Sequence, residues 1–160
     1  MTTSRKSNSG RAKKSSSNPS EIADGVFVGG WKDATSFAGA RFCVLDERPE
    51  ELDEMPGTEH LPIYDGTTDA PKVENLDRIT EMAHRAREQG TPVLLFCGHG
   101  VRRGSLAGAW YLHRYGNLTL DQAFERVAAV RPQIERPEEW MKGWKVLLEA
   151  PPPRRRSNGR

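Results

Sequence analysis

A cysteine and an arginine are separated by five residues in Cys97-Gly98-His99-Gly100-Val101-Arg102-Arg103, two of them glycines. The apolar run Pro92-Val93-Leu94-Leu95-Phe96 precedes this stretch, and a helix-like segment from Ser105 to Tyr115 follows it. Strand, glycine-rich turn and helix N-terminus together make an anion cradle: successive backbone N–H groups point inward and the helix dipole adds partial positive charge. Gly98 and Gly100 let the backbone curl into left-handed angles. The same field favours the thiolate form of a cysteine at the start of the loop. Arg103 supplies a planar fork for two phosphate oxygens. The stretch therefore combines a nucleophile with a clamp for a transferring group, which is chemistry on phosphate. Against this stands a plainer reading, a buried cysteine at a strand end with a tight turn after it.

Cleaving a phosphoester also requires a proton for the leaving oxygen, and a carboxylic acid on a neighbouring loop can supply it. Two candidates, Asp65 and Asp69, lie in the turn-rich stretch Asp65-Gly66-Thr67-Thr68-Asp69-Ala70-Pro71. The plainer alternative is that both only cap turns or the following helix. Within the loop, Arg102 either widens the positive field toward polyanionic substrates or is a solvated rim residue. His99 reads as a structural loop residue. His84 and His113 fall within helical segments as packing or surface residues. No Cys/His spacing suggests zinc, so neither a metal nor another cofactor is expected. The four tryptophans read as packing residues.

These groups need a scaffold. Val26-Phe27-Val28 is a short strand ending at Gly29-Gly30, and Lys32–Gly39 a short helix. Phe42–Leu45 is a second strand, followed by the acidic, proline-containing loop Asp46–Pro56. His60–Tyr64 is a third strand. From Val73 to Glu88 apolar residues recur at helical spacing, with Gly90 as a stop. Val93–Phe96 is continuously apolar, as expected of a central strand covered on both faces. Thr119 caps a helix over Leu120–Val130, and Trp140, Trp144, Leu147 and Leu148 predict a final amphipathic helix. Strands alternating with helices give an α/β fold with one central, largely parallel sheet flanked by helices.

At 160 residues the chain is long enough for one compact domain with a real core. Its formal net charge of +2 conceals an asymmetry. Residues 1–20 carry five basic and no acidic side chains, and residues 151–160 carry four basic and none acidic. Residues 21–150 then hold 15 basic against 22 acidic side chains. Both ends lack the apolar residues that offset ordering entropy and are expected to be disordered tails around a domain at 21–150. Their charge suits either a solvated tail or contact with an anionic partner. No apolar stretch approaches a membrane span, and Met1–Ser20 contains no secretory apolar region. The two cysteines, Cys43 and Cys97, fit a reduced, cytoplasmic setting. Cys43, inside the strand-like Arg41-Phe42-Cys43-Val44-Leu45, reads as a buried structural thiol; a reversible disulfide with Cys97 is the minor alternative.

The Cys97–Arg103 stretch resembles the Cys-x-x-Gly-x-x-Arg signature loop of the cysteine-based protein phosphatases, in particular the small dual-specificity phosphatases. Cys97, Gly100 and Arg103 match it position by position. The similarity extends from Glu21 to Trp140. Ile22-Ala23-Asp24-Gly25-Val26-Phe27-Val28-Gly29-Gly30 is similar to that family's opening strand and turn. Leu61-Pro62-Ile63-Tyr64-Asp65 resembles the stretch carrying its general acid, and Ala123-Phe124 through Val130-Arg131-Pro132 resembles its downstream helix and Arg-Pro pair. Two positions depart from the pattern: Phe96 replaces the usual histidine, and Gly104 replaces a serine or threonine whose hydroxyl assists the thiolate as it leaves.

The resemblance implies a hydrolase of phosphoproteins working through a cysteinyl-phosphate. Cys97 would be the nucleophile and Asp65, rather than Asp69, the general acid. Gly98, His99, Gly100, Val101, Arg102 and Arg103 would bind phosphate. Two other readings follow from the departures and the basic tails: a weakly active phosphate-binding pseudophosphatase module, and an enzyme for RNA 5′-triphosphates or phosphoinositides.

Overall fold

The computed structural model describes residues 18–65 and 70–151. The continuously apolar segment is indeed the central strand, and its neighbours explain why. β1 (Ser20–Ala23), β2 (Val26–Gly29), β3 (Ala40–Cys43), β4 (Glu59–His60) and β7 (Val93–Phe96) form one sheet in the order β1-β2-β7-β3-β4. β7 runs parallel to both β2 and β3, β3 parallel to β4, and only β1 is antiparallel to its neighbour. A strand paired on both edges and covered on both faces must be apolar at every position, and all four β7 side chains are buried.

The two faces of β7 serve different cores. Val93, Leu95 and Cys97 point into the larger one, against Leu76 and Ile79 of α2 (Val73–Glu88), Leu106 and Trp110 of α3 (Arg103–Tyr115), and Phe124 and Val127 of α4 (Leu120–Val130). Leu94 and Phe96 point into a smaller one, with Ala34 of α1 (Trp31–Ser36), Cys43, Leu52 from a 3₁₀ turn at Glu50–Glu54, and Met55 just after it. Each large apolar side chain so buried stabilises the fold by roughly 1.5–3 kcal/mol. The α/β class and the largely parallel sheet read from the sequence are observed. Thr119 caps α4 as expected, its hydroxyl accepting from the Gln122 N–H at 3.1 Å while the Gln122 side chain bonds back to the Thr119 N–H.

Besides the strand Ser20–Ala23, which the sequence did not signal, two stretches differ from the sequence expectation. The stretch His60–Tyr64 is not one strand. The chain leaves the main sheet after β4 and re-pairs at β5 (Tyr64–Asp65) with β6 (Ala70–Pro71) in a separate antiparallel hairpin. Pro62 sits at the break, where it has no N–H to give to a ladder. The final amphipathic helix is two short ones, α5 (Pro137–Trp140) and α6 (Val146–Glu149), divided at Gly143, whose φ of +70° lies outside any helix. Among the described residues no helix is long and apolar enough to cross a membrane. Residues 1–17 and 152–160, nearly all of both basic tails, lie outside the described residues, but the expected tail boundary at residue 20 falls too late, since Ser20 opens β1 and Arg131 bonds Asn18 O and Ser20 Oγ.

Candidate active site

Cys97 leaves β7 on the side of the larger core and is almost buried, at 6% exposure. Its Sγ accepts two backbone hydrogen bonds, from the Gly100 N–H at 3.2 Å and the Gly104 N–H at 3.1 Å. The loop between them is built by what holds its carbonyls. The Gly98 carbonyl accepts from the Trp31 N–H at 2.9 Å, and the Val101 carbonyl from the Glu135 N–H at 2.9 Å. The two carbonyls between belong to one side chain: Arg131 donates from Nη2 to His99 O and from Nε to Gly100 O, each at 2.9 Å. In a planar trans peptide the C=O and the following N–H point in opposite directions. Pinning the carbonyls of residues 98–101 therefore turns the N–H groups of residues 99–102 the other way. Gly100 gives its N–H to Sγ. The N–H groups of Gly98, His99, Val101, Arg102 and Arg103 meet no acceptor among the described residues, which leaves five donors and a helix N-terminus for an anion.

Arg131 is 1% exposed, and its Nη1 also donates to Asn18 O at 3.1 Å and Ser20 Oγ at 3.0 Å. Burial lowers its pKa from the ordinary arginine value, while the charges of Asp33 and Cys97 act to raise it. Asp33 is itself 3% exposed. One of its oxygens accepts from the Gly30 N–H at 2.8 Å and the other has no partner among the described residues, so its charge is largely left to offset Arg131. The loop packs against the Gly29–Gly30 turn without room for side chains. A Cβ on Gly100, whose φ is +70°, would stand 2.7 Å from both Gly29 O and Arg131 Nη2.

Arg103 opens α3. It lies beside the rings of Tyr64 and Trp140, with its Cζ 5.7 and 5.4 Å from their centroids, and those rings meet edge to face at 5.6 Å. Its Nε and Nη2 form a two-bond fork on the Asp46 carboxylate, at 2.6 and 2.9 Å. Arg102 points to the rim, half exposed, and pairs with Glu135 at 2.8 Å, so the rim reading of this residue fits the geometry and its charge is partly offset. His99 takes part through its backbone. Asp65 ends β5 paired with Ala70, directly after Tyr64, so its backbone adjoins the residue whose ring borders Arg103. Asp69 lies outside the described residues.

The departures at Phe96 and Gly104 have structural counterparts. Phe96 is fully buried on the sheet face opposite Cys97, edge to face with Trp31 at 5.7 Å. Gly104 presents only its N–H to the sulfur. The nearby Ser105 hydroxyl is engaged with the Val101 and Arg102 carbonyls at 2.8 and 2.9 Å and does not reach Sγ. Cys43 packs with Phe96 in the smaller core, on the opposite face from Cys97. Burial pushes its thiol up to about 11. The buried structural reading fits this placement, and facing away from one another leaves the two thiols unsuited to a disulfide without rearrangement.

Two participants escaped the sequence reading. Arg131 entered it only as half of an Arg-Pro pair, although it continues the buried stripe of α4 through Phe124 and Val127 at three- and four-residue spacing, a position where a charged residue calls for a buried partner. Asp46 read as the first residue of an acidic loop and carried no spacing signal.

No family model matches the chain. Human Dual specificity phosphatase 28 is 25% identical over 148 residues, covering 82% of this chain and 84% of the relative. Tyrosine-protein phosphatase MSG5 of Saccharomyces cerevisiae is 34% identical over 62 residues, which are 39% of this chain and 13% of that longer protein. Among solved structures, Tk-PTP in its active form superposes with a TM-score of 0.60 at 31% identity, over 82% of this chain and 94% of that one. With sequence and fold agreeing over most of its length, the chain belongs to the cysteine-based protein phosphatase superfamily, among the dual-specificity and tyrosine phosphatases.

Proposed function

We propose that the protein hydrolyses phosphomonoesters of phosphoproteins through a cysteinyl-phosphate on Cys97. The Cys97 thiolate attacks phosphorus as the P–O bond to the leaving group breaks, and Asp65 gives its proton to the departing oxygen. The Asp65 carboxylate then takes a proton from water as that water attacks phosphorus. The S–P bond breaks, inorganic phosphate leaves and the thiolate is restored. The unpartnered amides of the loop and the Arg103 fork hold the equatorial oxygens while charge develops on them. The observation that carries this reading is the loop itself: four carbonyls pinned outward and a buried sulfur beneath inward-facing N–H groups.

The test is hydrolysis of a small aryl phosphate and of phosphotyrosyl and phosphothreonyl peptides, with Cys97→Ser as control. Loss of at least about a thousandfold in the serine variant is expected. Equal rates in the two proteins would overturn the assignment of Cys97.

One observation favours a second reading on the same site, a module that takes up phosphate and releases it slowly. Among the described residues two backbone N–H groups support the sulfur, and no hydroxyl does. Isolation of a long-lived phosphocysteine after mixing with substrate would favour it, and fast steady turnover would exclude it.

A further inference from the structure

Arg103 has one fork edge formed by Nε and Nη2, and that edge suits a carboxylate and a phosphate equally well. Here both nitrogens lie on the two oxygens of Asp46, at 2.6 and 2.9 Å. The contact is not one of loosely solvated surface groups: the Arg103 side chain is 23% exposed and lies beside the rings of Tyr64 and Trp140. The backbone leading to Asp46 is held by the Val44 N–H donating to Phe96 O at 3.0 Å and by the Leu45 carbonyl accepting from His60 Nε2 at 2.7 Å. Asp46 itself is exposed, so its carboxylate has solvent to swing into.

Resting on the reading of this loop as a phosphate site, we infer that Asp46 is an internal competitor of substrate phosphate for Arg103, a residue that sets oxyanion affinity by occupying the fork until phosphate displaces it. An arginine held by its own carboxylate is competent for only a fraction of the time, and the apparent dissociation constant rises by the inverse of that fraction. Asp46 touches no reacting atom in this scheme. It acts through Arg103 and appears in ground-state binding rather than in the chemical step.

The experiment is calorimetric titration of tungstate and orthophosphate into wild type, Asp46→Asn and Asp46→Ala, with aryl phosphate kinetics and thermal melting on the same samples. Release of the fork is expected to tighten oxyanion binding about tenfold and to lower KM with kcat nearly unchanged. Alanine should act at least as strongly as asparagine, which keeps a neutral acceptor. Equal or weaker oxyanion binding in both variants, beside an active and oxyanion-binding wild type, would overturn the competition and make Asp46 a support that aims Arg103. A wild type that neither binds tungstate nor hydrolyses the ester would instead remove the phosphate-site reading, and the competition with it.

Discussion

The Arg131 Nε stands 2.9 Å from the Gly100 carbonyl, and the same guanidinium takes the preceding carbonyl from Nη2. One buried fork thus sets the direction of two consecutive peptide units beneath the sulfur. Loop geometry of this kind is expensive to leave unsupported. Each buried acceptor deprived of its donor costs about 1–3 kcal/mol, which is large beside a total stability of roughly 5–15 kcal/mol.

Arg131→Met is accordingly expected to melt far below wild type, and Arg131→Lys is the informative variant. Lysine keeps the charge but donates from a single point, so it cannot hold His99 O and Gly100 O with a planar fork. A folded Arg131→Lys protein should lose about a hundredfold in kcat/KM, and orthophosphate should inhibit it more weakly. A role confined to stability would lower the melting temperature and leave the phosphate inhibition constant where it was, so both are measured well below the melt.

Cys43 gives a pH dependence whose sign follows from its burial. Its thiol titrates at about 11 in the folded protein against 9.0 unperturbed, because desolvation disfavours the thiolate. The folded state therefore prefers the protonated form. This contribution is intact below about pH 9 and is lost as pH rises from there through about 11, amounting to some 2–3 kcal/mol. Denaturant unfolding at steps between pH 8 and pH 11 should show the decline, and Cys43→Ala should flatten part of it. The same burial predicts that iodoacetamide labels the native protein at Cys97 and spares Cys43, read by peptide mass. Labelling of both thiols at equal rates under native conditions would contradict it.

The pattern that the sequence carries is the pattern of burial. β7 was legible because a strand covered on both faces tolerates only apolar residues. The bounds of α2 and α4 were legible because a one-sided stripe ends where its cap begins. Trp140, Trp144, Leu147 and Leu148 misled for the same reason: helical spacing survives a break, and Gly143 turns the chain between two short helices, with Leu147 buried and Leu148 left exposed. The Cys97 loop was visible because its chemistry is contiguous in sequence. The side chains that contact it from elsewhere were not, since Arg131 and Asp46 reach it across 31 and 57 positions and are defined by distance in the fold. No local periodicity encodes a carbonyl waiting for a guanidinium.

Gly104 links the loop to the second half of the reaction. After transfer to Cys97, sulfur must depart as thiolate, and among the described residues the donors on it are the Gly100 and Gly104 N–H groups. A Cβ built on Gly104 falls 3.3 Å from Sγ, close enough that the sulfur must yield by a few tenths of an ångström and that a hydroxyl carried on it lies at the sulfur. Gly104→Ser should therefore add a third donor where negative charge grows. Steric crowding and the gain in helix propensity over glycine act in opposite directions on stability, leaving a net change within about 1 kcal/mol. Wild type is expected to release a burst of aryl alcohol approaching one equivalent per site before a slower steady rate, the mark of accumulating phosphoenzyme. In Gly104→Ser the burst should shrink and the steady rate rise by about tenfold, with the rate of the burst phase nearly unchanged. Rapid-quench kinetics on the two proteins separate these steps. A wild type without a burst would show that breakdown of the phosphoenzyme does not limit turnover, and a steady rate unmoved by the added hydroxyl would show that two backbone donors suffice for the leaving thiolate.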